Sequence, residues 1–303
     1  MKWEDYRQSD NVEDRRGQGG GFGGGFGGGG RMRGGGLGIG GLIVVGLIAW
    51  ATGINPAVLL GGAEILFGGG SGSAPTQQQT SAPRGQAGAP SDQLGKFAAT
   101  VLAQTEDVWV PLFKAEGRTY QPPGMVLFSG ATRSGCGAAQ SAMGPFYCPL
   151  DQKVYLDLSF FQEMKTRFRA PGDFAAAYVI AHEVGHHVEN QIGLLGKVQE
   201  RQRQVSKAEA NQLSVRVELM ADCLAGVWAY HANANWRILE EGDVEEALNA
   251  ASAIGDDRLQ KQAQGFAVPD SFTHGTSQQR TTWFTRGLKS GSMQQCNTFQ
   301  GAI

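Results

Sequence analysis

A His-Glu-x-x-His motif at His182, Glu183 and His186 constrains the fold of this chain more than any other feature of its sequence. Each residue of an α-helix turns about 100°, so the two histidines lie roughly 40° apart on one face, one turn apart along the axis. Both imidazoles can then reach one metal ion, while Glu183 lies beside that ion, where a general base is needed. The motif therefore predicts a helix that carries a metal site.

The residues that flank the motif also favour a helix, with Asp173 as its N-cap and Gly193 at its end. The alternative is a chance match on a helix that merely carries two histidines. However, three of the five histidines of the chain fall in this one apolar stretch, where an unpaired polar group is costly. Small residues such as Gly185 would let a second element pack closely. A functional site explains this pattern better than a solvated helix face does.

Composition limits the classes of protein to which the chain can belong. Its 303 residues, of which 41% are hydrophobic, suffice for one sizeable core or two small ones. The net charge is −2, and no cluster of lysine and arginine is interleaved with aromatic residues, so nucleic-acid binding is not expected. The 46 glycines exceed ordinary usage and are concentrated near the N-terminus, so the globular part is shorter than the chain.

The first part of the chain is predicted to contain three segments that precede one folded domain. Residues 1–36 are polar and glycine-rich and cannot bury enough apolar area to order, so a disordered cytoplasmic tail is expected. Leu37 to Leu60 carries no charge and is long enough to cross lipid as a transmembrane helix. Residues 61–90 resemble a flexible linker in composition. Residues 91–303 are predicted to form the folded domain.

The distribution of basic residues predicts an orientation in the membrane. A series of arginines that ends at Arg33 precedes the apolar stretch, and the next basic residue after it is Arg84. The positive-inside rule then predicts a single-pass membrane protein with a cytoplasmic N-terminus and a periplasmic or extracytoplasmic domain. Two alternatives remain: a cleaved signal peptide, for which residues 49–51 offer a small-x-small site, and a buried helix of a soluble protein.

Periodicity in the folded domain indicates an α+β fold, mostly helical with a small β-sheet. The strand candidates are Met125–Phe128 and Val154–Leu158, which are rich in β-branched and aromatic residues. Four further stretches have helical patterns. The first starts at Ser91, and the second covers 197–232 as one long helix or two in series. The others are Asp243 to about Ala263 and Ser277 to Leu288.

Two histidines do not complete a catalytic zinc site, which normally has three protein ligands and one open position. The metzincin pattern is excluded, because positions 189 and 192 hold glutamate and isoleucine instead of glycine and histidine. Glu218 is a candidate third ligand on another helix. Asp222, four residues later on the same face, would accept the free N–H of a metal-bound histidine. A solvated helix face is the alternative for Glu218, although its neighbours are apolar.

The motif around His182, Glu183 and His186, followed by Glu218-x-x-Ala-Asp222, resembles the gluzincins, which are thermolysin-like zinc peptidases. From Ser91 to its end, the chain is more closely similar to the neutral zinc metallopeptidases of bacterial membranes. Further stretches carry this similarity: Cys136-Gly137, 144–149, Val154–Leu158, His274-Gly275 and Gln279-Arg280. The resemblance implies a zincin-like fold, a Zn²⁺ ion on the two histidines and Glu218, and peptide or protein substrates. The spacing between His186 and Glu218 is longer than in thermolysin, which implies additional residues between the two helices.

The resemblance also implies roles for individual residues. Glu183 would act as the general base of the catalytic site. His274 would stabilise the oxyanion, with capping of the last helix as the alternative. Arg280 would orient either Asp222 or the substrate. Val154–Leu158 would be an edge strand beside the cleft, to which an extended peptide could add as a further strand.

Other functions remain open on the sequence alone. The main alternative is a catalytically silent zinc-binding scaffold for a partner in the cell envelope, and a weaker one is a zinc hydrolase that acts on a non-peptide amide. The intact Glu183 and the complete set of candidate ligands favour the peptidase. Two imidazoles and a carboxylate suit zinc better than they suit other divalent metals.

The four cysteines predict two disulfides. None lies in a Cys-x-x-Cys pair, which argues against a zinc ribbon or a redox motif. Disulfides persist if the domain lies in an oxidising compartment. Cys136 and Cys148 flank a short loop between predicted strands and are expected to pair. Cys223 would then pair with Cys296 in the C-terminal tail, although it could also be a small buried thiol.

Overall fold

The computed structural model describes residues 1–17, 86–87 and 90–303, which form an α+β fold that is mostly helical and has two small sheets. The strands are β1 (Val12–Asp14), β2 (Gln86–Ala87), β3 (Gly124–Phe128), β4 (Ala131–Ser134), β5 (Gly137–Gln140), β6 (Phe146–Cys148) and β7 (Lys153–Asp157). The α-helices are α1 (Gln93–Ala115), α2 (Ser159–Thr166), α3 (Asp173–Gln191), α4 (Leu194–Gln202), α5 (Lys207–Trp236), α6 (Asp243–Ala253), α7 (Asp256–Gln264) and α8 (Ser277–Ser290).

The predicted helices are present, with changes at their ends. The motif helix α3 includes Asp173, and its N-cap is Gly172. The stretch 197–232 resolves into two helices in series, α4 and α5, the second of which starts with a capping box at Ser206. The helix expected from Asp243 to Ala263 divides into α6 and α7. At Gly255, between them, a side chain would overlap the backbone of Ser277.

Glycines allow α5 to approach both of its neighbours closely. A Cβ atom on Gly185 of α3 would lie 2.9 Å from the carbonyl oxygen of Ala221 on α5. On the other side of α5, a Cβ atom on Gly226 or on Gly287 of α8 would overlap the backbone of the facing helix. Because larger residues would hold these helices apart, the glycine of the metal motif sets the distance between α3 and α5.

The main sheet has the strand order β2-β1-β3-β7-β6. Strands β1, β3 and β7 run parallel, and β6 pairs antiparallel with β7. The strand predicted at Val154–Leu158 is therefore present as β7, but its prediction as an edge strand is wrong. The chain reverses after β6, with Gln152 in a left-handed conformation (φ 56°), and this turn places β6 beyond β7, at one end of the sheet that the described strands form.

Residues 1–17 belong to the fold, so the prediction of a disordered tail over 1–36 is wrong for this part. Val12, which is 2% exposed, lies in β1, and β1 pairs with β3. Part of the predicted linker also pairs, since Gln86–Ala87 form β2 beside β1. The sequence suggested a tail because this segment is polar and leads into a glycine-rich stretch.

The remaining predictions for the first part of the chain concern residues outside the described ones. These are the rest of the tail (18–36), the transmembrane helix (37–60) and residues 61–85 and 88–89 of the linker. Among the residues that the structure does describe, none of the helices has the length and apolar character that a membrane span requires.

Both predicted disulfides are confirmed. Cys136 and Cys148 are bridged, with Cα atoms 5.8 Å apart, and join the β4–β5 hairpin to the edge strand β6. Cys223 and Cys296 are bridged, with Cα atoms 5.4 Å apart, and hold the C-terminal tail against α5. The second bridge is buried on the helix that also carries Glu218 and Asp222.

Candidate metal centre

Three side chains from α3 and α5 converge on one point. The Nε2 atom of His182 lies 3.2 Å from Oε2 of Glu218, and the Nε2 atom of His186 lies 3.5 Å from Oε1 of the same carboxylate. The possible ligand atoms of the three residues all lie within 4.8 Å of one another. The structure thus brings together the three residues predicted to bind the metal, across the close contact at Gly185.

The other ring nitrogen of His182 faces a fully buried carboxylate. Its Nδ1 atom lies 2.9 Å from Oδ1 of Asp222, as the sequence predicted. Arg280 donates to both oxygens of Asp222, over 2.8 and 2.9 Å, and the Tyr178 hydroxyl donates to Oδ1. Burial opposes ionisation of Asp222, but Arg280 and His182 outweigh it and lower its pKa to about 2. Of its two proposed roles, Arg280 therefore has a place in the structure as the partner of Asp222.

The second histidine has a matching partner that the sequence reasoning missed. The Nδ1 atom of His186 lies 2.8 Å from Oε2 of Glu189, a fully buried residue three positions along α3. Glu189 entered the sequence argument only as the residue that excludes a metzincin. Residues at i and i+3 face each other on a helix, so the spacing alone could have revealed the pair.

Asp222 and Glu189 orient the two histidines for metal binding. When each Nδ1–H donates to a carboxylate, each Nε2 keeps its lone pair, and both Nε2 atoms face Glu218. Burial raises the pKa of Glu218, but His274, His186 and His182 outweigh burial and lower it. Burial lowers the pKa of His182, but Asp222 and Glu218 outweigh burial and raise it to about 9, so metal binding would release a proton from this ring. Two imidazoles in their neutral form and an ionised carboxylate form the donor set of a catalytic zinc site with one open position.

Glu183 lies beside this group and outside the set of three ligands. Burial raises the pKa of Glu183 to about 7, although the backbone N–H of Tyr147, in the edge strand β6, acts in the opposite direction. A carboxylate with such a pKa can both accept and release a proton near neutral pH.

His274 enters the site from the loop before α8, supported by a residue that the sequence reasoning also missed. Its Nδ1 atom lies 3.2 Å from Oδ1 of Asp256, whose other oxygen accepts the backbone N–H groups of residues 273–275. Burial lowers the pKa of His274, but Glu218 and Asp256 outweigh burial and raise it. The cap of α8 is Thr276, which forms a capping box with Gln279, so the alternative role of His274 as a helix cap is wrong.

Arg280 offers a first test of this arrangement. We expect Arg280→Met to lower the free energy of unfolding by about 3–5 kcal/mol, because Asp222 would be left as a buried charge without its cation. Urea unfolding in the presence of EDTA measures the loss without a contribution from bound metal. Arg286→Met on the exposed face of α8 is the matched control. The double variant Arg280→Met with Asp222→Asn should recover part of the loss, and a loss below about 1 kcal/mol would contradict the ion pair's structural role.

Comparisons with known proteins agree with this site. The family model described as "Putative neutral zinc metallopeptidase" matches residues 1–299. "Uncharacterized protein YpfJ" of Escherichia coli K12 is 52% identical over 306 residues, which cover 100% of both chains. "Uncharacterized protein Rv2575" of Mycobacterium tuberculosis is 45% identical over 205 residues, or 64% of this chain and 67% of that protein. No solved structure matches the chain.

Proposed function

Because the chain belongs to the neutral zinc metallopeptidase family, we propose that it is a zinc-dependent peptidase that hydrolyses peptide bonds. The observation that carries this proposal is the convergence of His182, His186 and Glu218 on one point, with Glu183 beside them. Metal binding alone would require only the three ligands. A buried fourth carboxylate that does not join them adds a group that can transfer protons.

His182, His186 and Glu218 would hold the zinc ion, with Asp222 and Glu189 fixing the orientation of the two imidazoles. When bound, zinc lowers the pKa of a coordinated water to around 7 and polarises a carbonyl group. The contribution of the chain to metal binding is the orientation of the ligand side chains. Each histidine is held by a carboxyl group on α3 or α5, which keeps both imidazoles in place before the ion arrives.

Glu183 would take the proton from the attacking water and deliver it to the leaving amine. The backbone N–H of Tyr147 favours the ionised carboxylate that accepts this proton. Since burial raises its pKa to about 7, the protonated form is accessible during the second transfer. The same residue can therefore serve first as base and then as acid.

His274 would donate a hydrogen bond to the oxygen that becomes negative as the carbonyl carbon turns tetrahedral. Glu218 and Asp256 raise the pKa of His274 and so favour its protonated ring, in which Nδ1–H donates to Asp256 and the other ring N–H can donate towards the substrate. The fixed loop geometry supports this role, because three backbone N–H groups also bind Asp256. His274 is thus held before the substrate binds.

The substrate would bind as an extended peptide along β6. Among the described strands, β6 is at one end of the main sheet, and the backbone N–H of its Tyr147 acts on the Glu183 carboxyl group. A peptide that adds to a sheet edge is held mainly by backbone hydrogen bonds, which makes recognition tolerant of sequence. The edge strand β6 therefore takes the role that the sequence reasoning gave to Val154–Leu158.

The proposal predicts metal-dependent cleavage of unfolded protein. We expect the full chain, purified in detergent, to contain one zinc per chain and to cleave casein. EDTA should reduce cleavage to background, and added zinc should restore it. Zinc analysis and gel electrophoresis measure the two properties separately. One bound zinc without cleavage of any unfolded protein would instead favour the silent scaffold.

A further inference from the structure

Residues 1–17 are fixed to the rest of the fold at several separate places. Strand β1 lies between β2 and β3 in the main sheet. Upstream of it, the backbone N–H of Ser9 donates to Ala99 of α1 over 3.0 Å, and that of Lys2 donates to Ile238 over 2.8 Å. The family model also starts at residue 1. This N-terminal segment is therefore part of the same folded body as the metal centre.

Charged groups in the body depend on the N-terminal segment. Glu106 of α1 is only 6% exposed. Its carboxylate accepts hydrogen bonds from Ser9, from Asn11 and, over 2.9 Å, from Arg7. An ionised carboxylate that lost all three donors in a buried position would be strongly unfavourable. These hydrogen bonds therefore stabilise both the position of the N-terminal segment and the buried charge of Glu106.

The two ends of the stretch between residues 17 and 86 lie side by side. In the sheet, Glu13 is opposite Ala87 and Asp14 is opposite Gln86. Neighbouring strands are about 4.8 Å apart. The chain therefore leaves the fold just after β1 and re-enters it at the adjacent strand β2, whatever it does in between.

This closeness bears on membrane topology. The hydrocarbon core of a bilayer is about 30 Å thick, so a stretch that crossed it once would separate β1 from β2 by that distance. We infer that residues 1–17 and 90–303 lie on the same side of the membrane, because both belong to one folded body. The inference replaces the expected orientation, with a cytoplasmic N-terminus and the domain outside. It rests on strand pairing and does not depend on the proposed peptidase activity.

Cysteine labelling of the full chain in intact cells tests this topology. All four native cysteines are bridged, so an introduced cysteine is the sole free thiol. Asp10→Cys in the N-terminal segment and Glu200→Cys on α4 are exposed positions. With a membrane-impermeant maleimide, the two variants should give the same result, both labelled or both protected until the cells are lysed. Labelling at one position with protection at the other would overturn the inference.

Two controls accompany the labelling. The unaltered chain measures the label taken up by the four cysteines it already has, which is subtracted from that of each variant, and both cysteine variants should keep the melting temperature of the parent. The packing of the segment is tested separately in the purified full chain. Val12→Asp should lower the melting temperature by at least about 4 °C, because Val12 is buried, whereas Asp10→Asn at an exposed position should not. An unchanged melting temperature for Val12→Asp would also overturn the inference.

Discussion

Replacing Glu183 with glutamine is expected to lower kcat for peptide hydrolysis by about 10²- to 10⁴-fold, the usual contribution of a general base. The expected zinc content is unchanged, because Glu183 lies outside the three ligands. Glutamine has almost the same shape, but it cannot take a proton from water. The change therefore removes the chemistry of the side chain and preserves its place in the fold.

Zinc content and casein cleavage, measured on the same preparation, check this prediction. Glu200→Gln is the matched control, since it makes the same chemical change at an exposed position of α4 and should alter neither property. His186→Ala is the opposite control and should lose both. If Glu183→Gln loses as much zinc as His186→Ala, then Glu183 is a ligand and the proposed role as a base is wrong.

Glu218→Ala should abolish high-affinity zinc binding and, with it, hydrolysis. Glu218 supplies the only carboxylate in the group of three ligands, and its two oxygens face the Nε2 atoms of both histidines. Its removal leaves two imidazoles, which is one ligand fewer than catalytic zinc sites normally have. Competition with a chelating indicator of known affinity measures the loss.

The loss of zinc affinity in Glu218→Ala is best compared with the loss caused by changing a residue that contacts a ligand and does not itself bind the ion. Asp222→Asn keeps all three ligands and removes only the charge that orients His182, so zinc affinity should fall by about ten- to a hundredfold. Glu218→Ala should exceed that range clearly. If it binds zinc as tightly as the parent, another residue is the third ligand and the assignment of Glu218 fails.

Most of the metal centre could be predicted from the sequence, because its parts are set by helix periodicity. The positions of His182, Glu183 and His186 depend only on the regular turn of one helix. The pairing of Glu218 with Asp222 depends on the same regularity in another helix. Even the partner missed by that reasoning, Glu189, follows from a spacing of three on α3.

The supporting residues from distant parts of the chain were harder to place. Asp256 lies 18 residues from His274 in sequence, with a helix between them, and no periodic pattern relates the two. The carboxylate of Asp256 could equally have been read as an exposed charge at the start of a helix. Only the packing of α7 against the loop before α8 turns it into the partner of His274.

By itself, the sequence determined the motif helix, the three candidate ligands, the class of fold and the two disulfide pairs. Only the tertiary structure decided that β6 is the edge strand and that residues 1–17 lie in the main sheet. The pairing of Val12 with Met125 joins residues more than a hundred positions apart, and nothing local specifies it. Helices can be predicted from the sequence because the residues that share a helix face are only three or four positions apart. Strand partners are chosen by the whole fold, because a short strand can pair with any free edge that buries its apolar side.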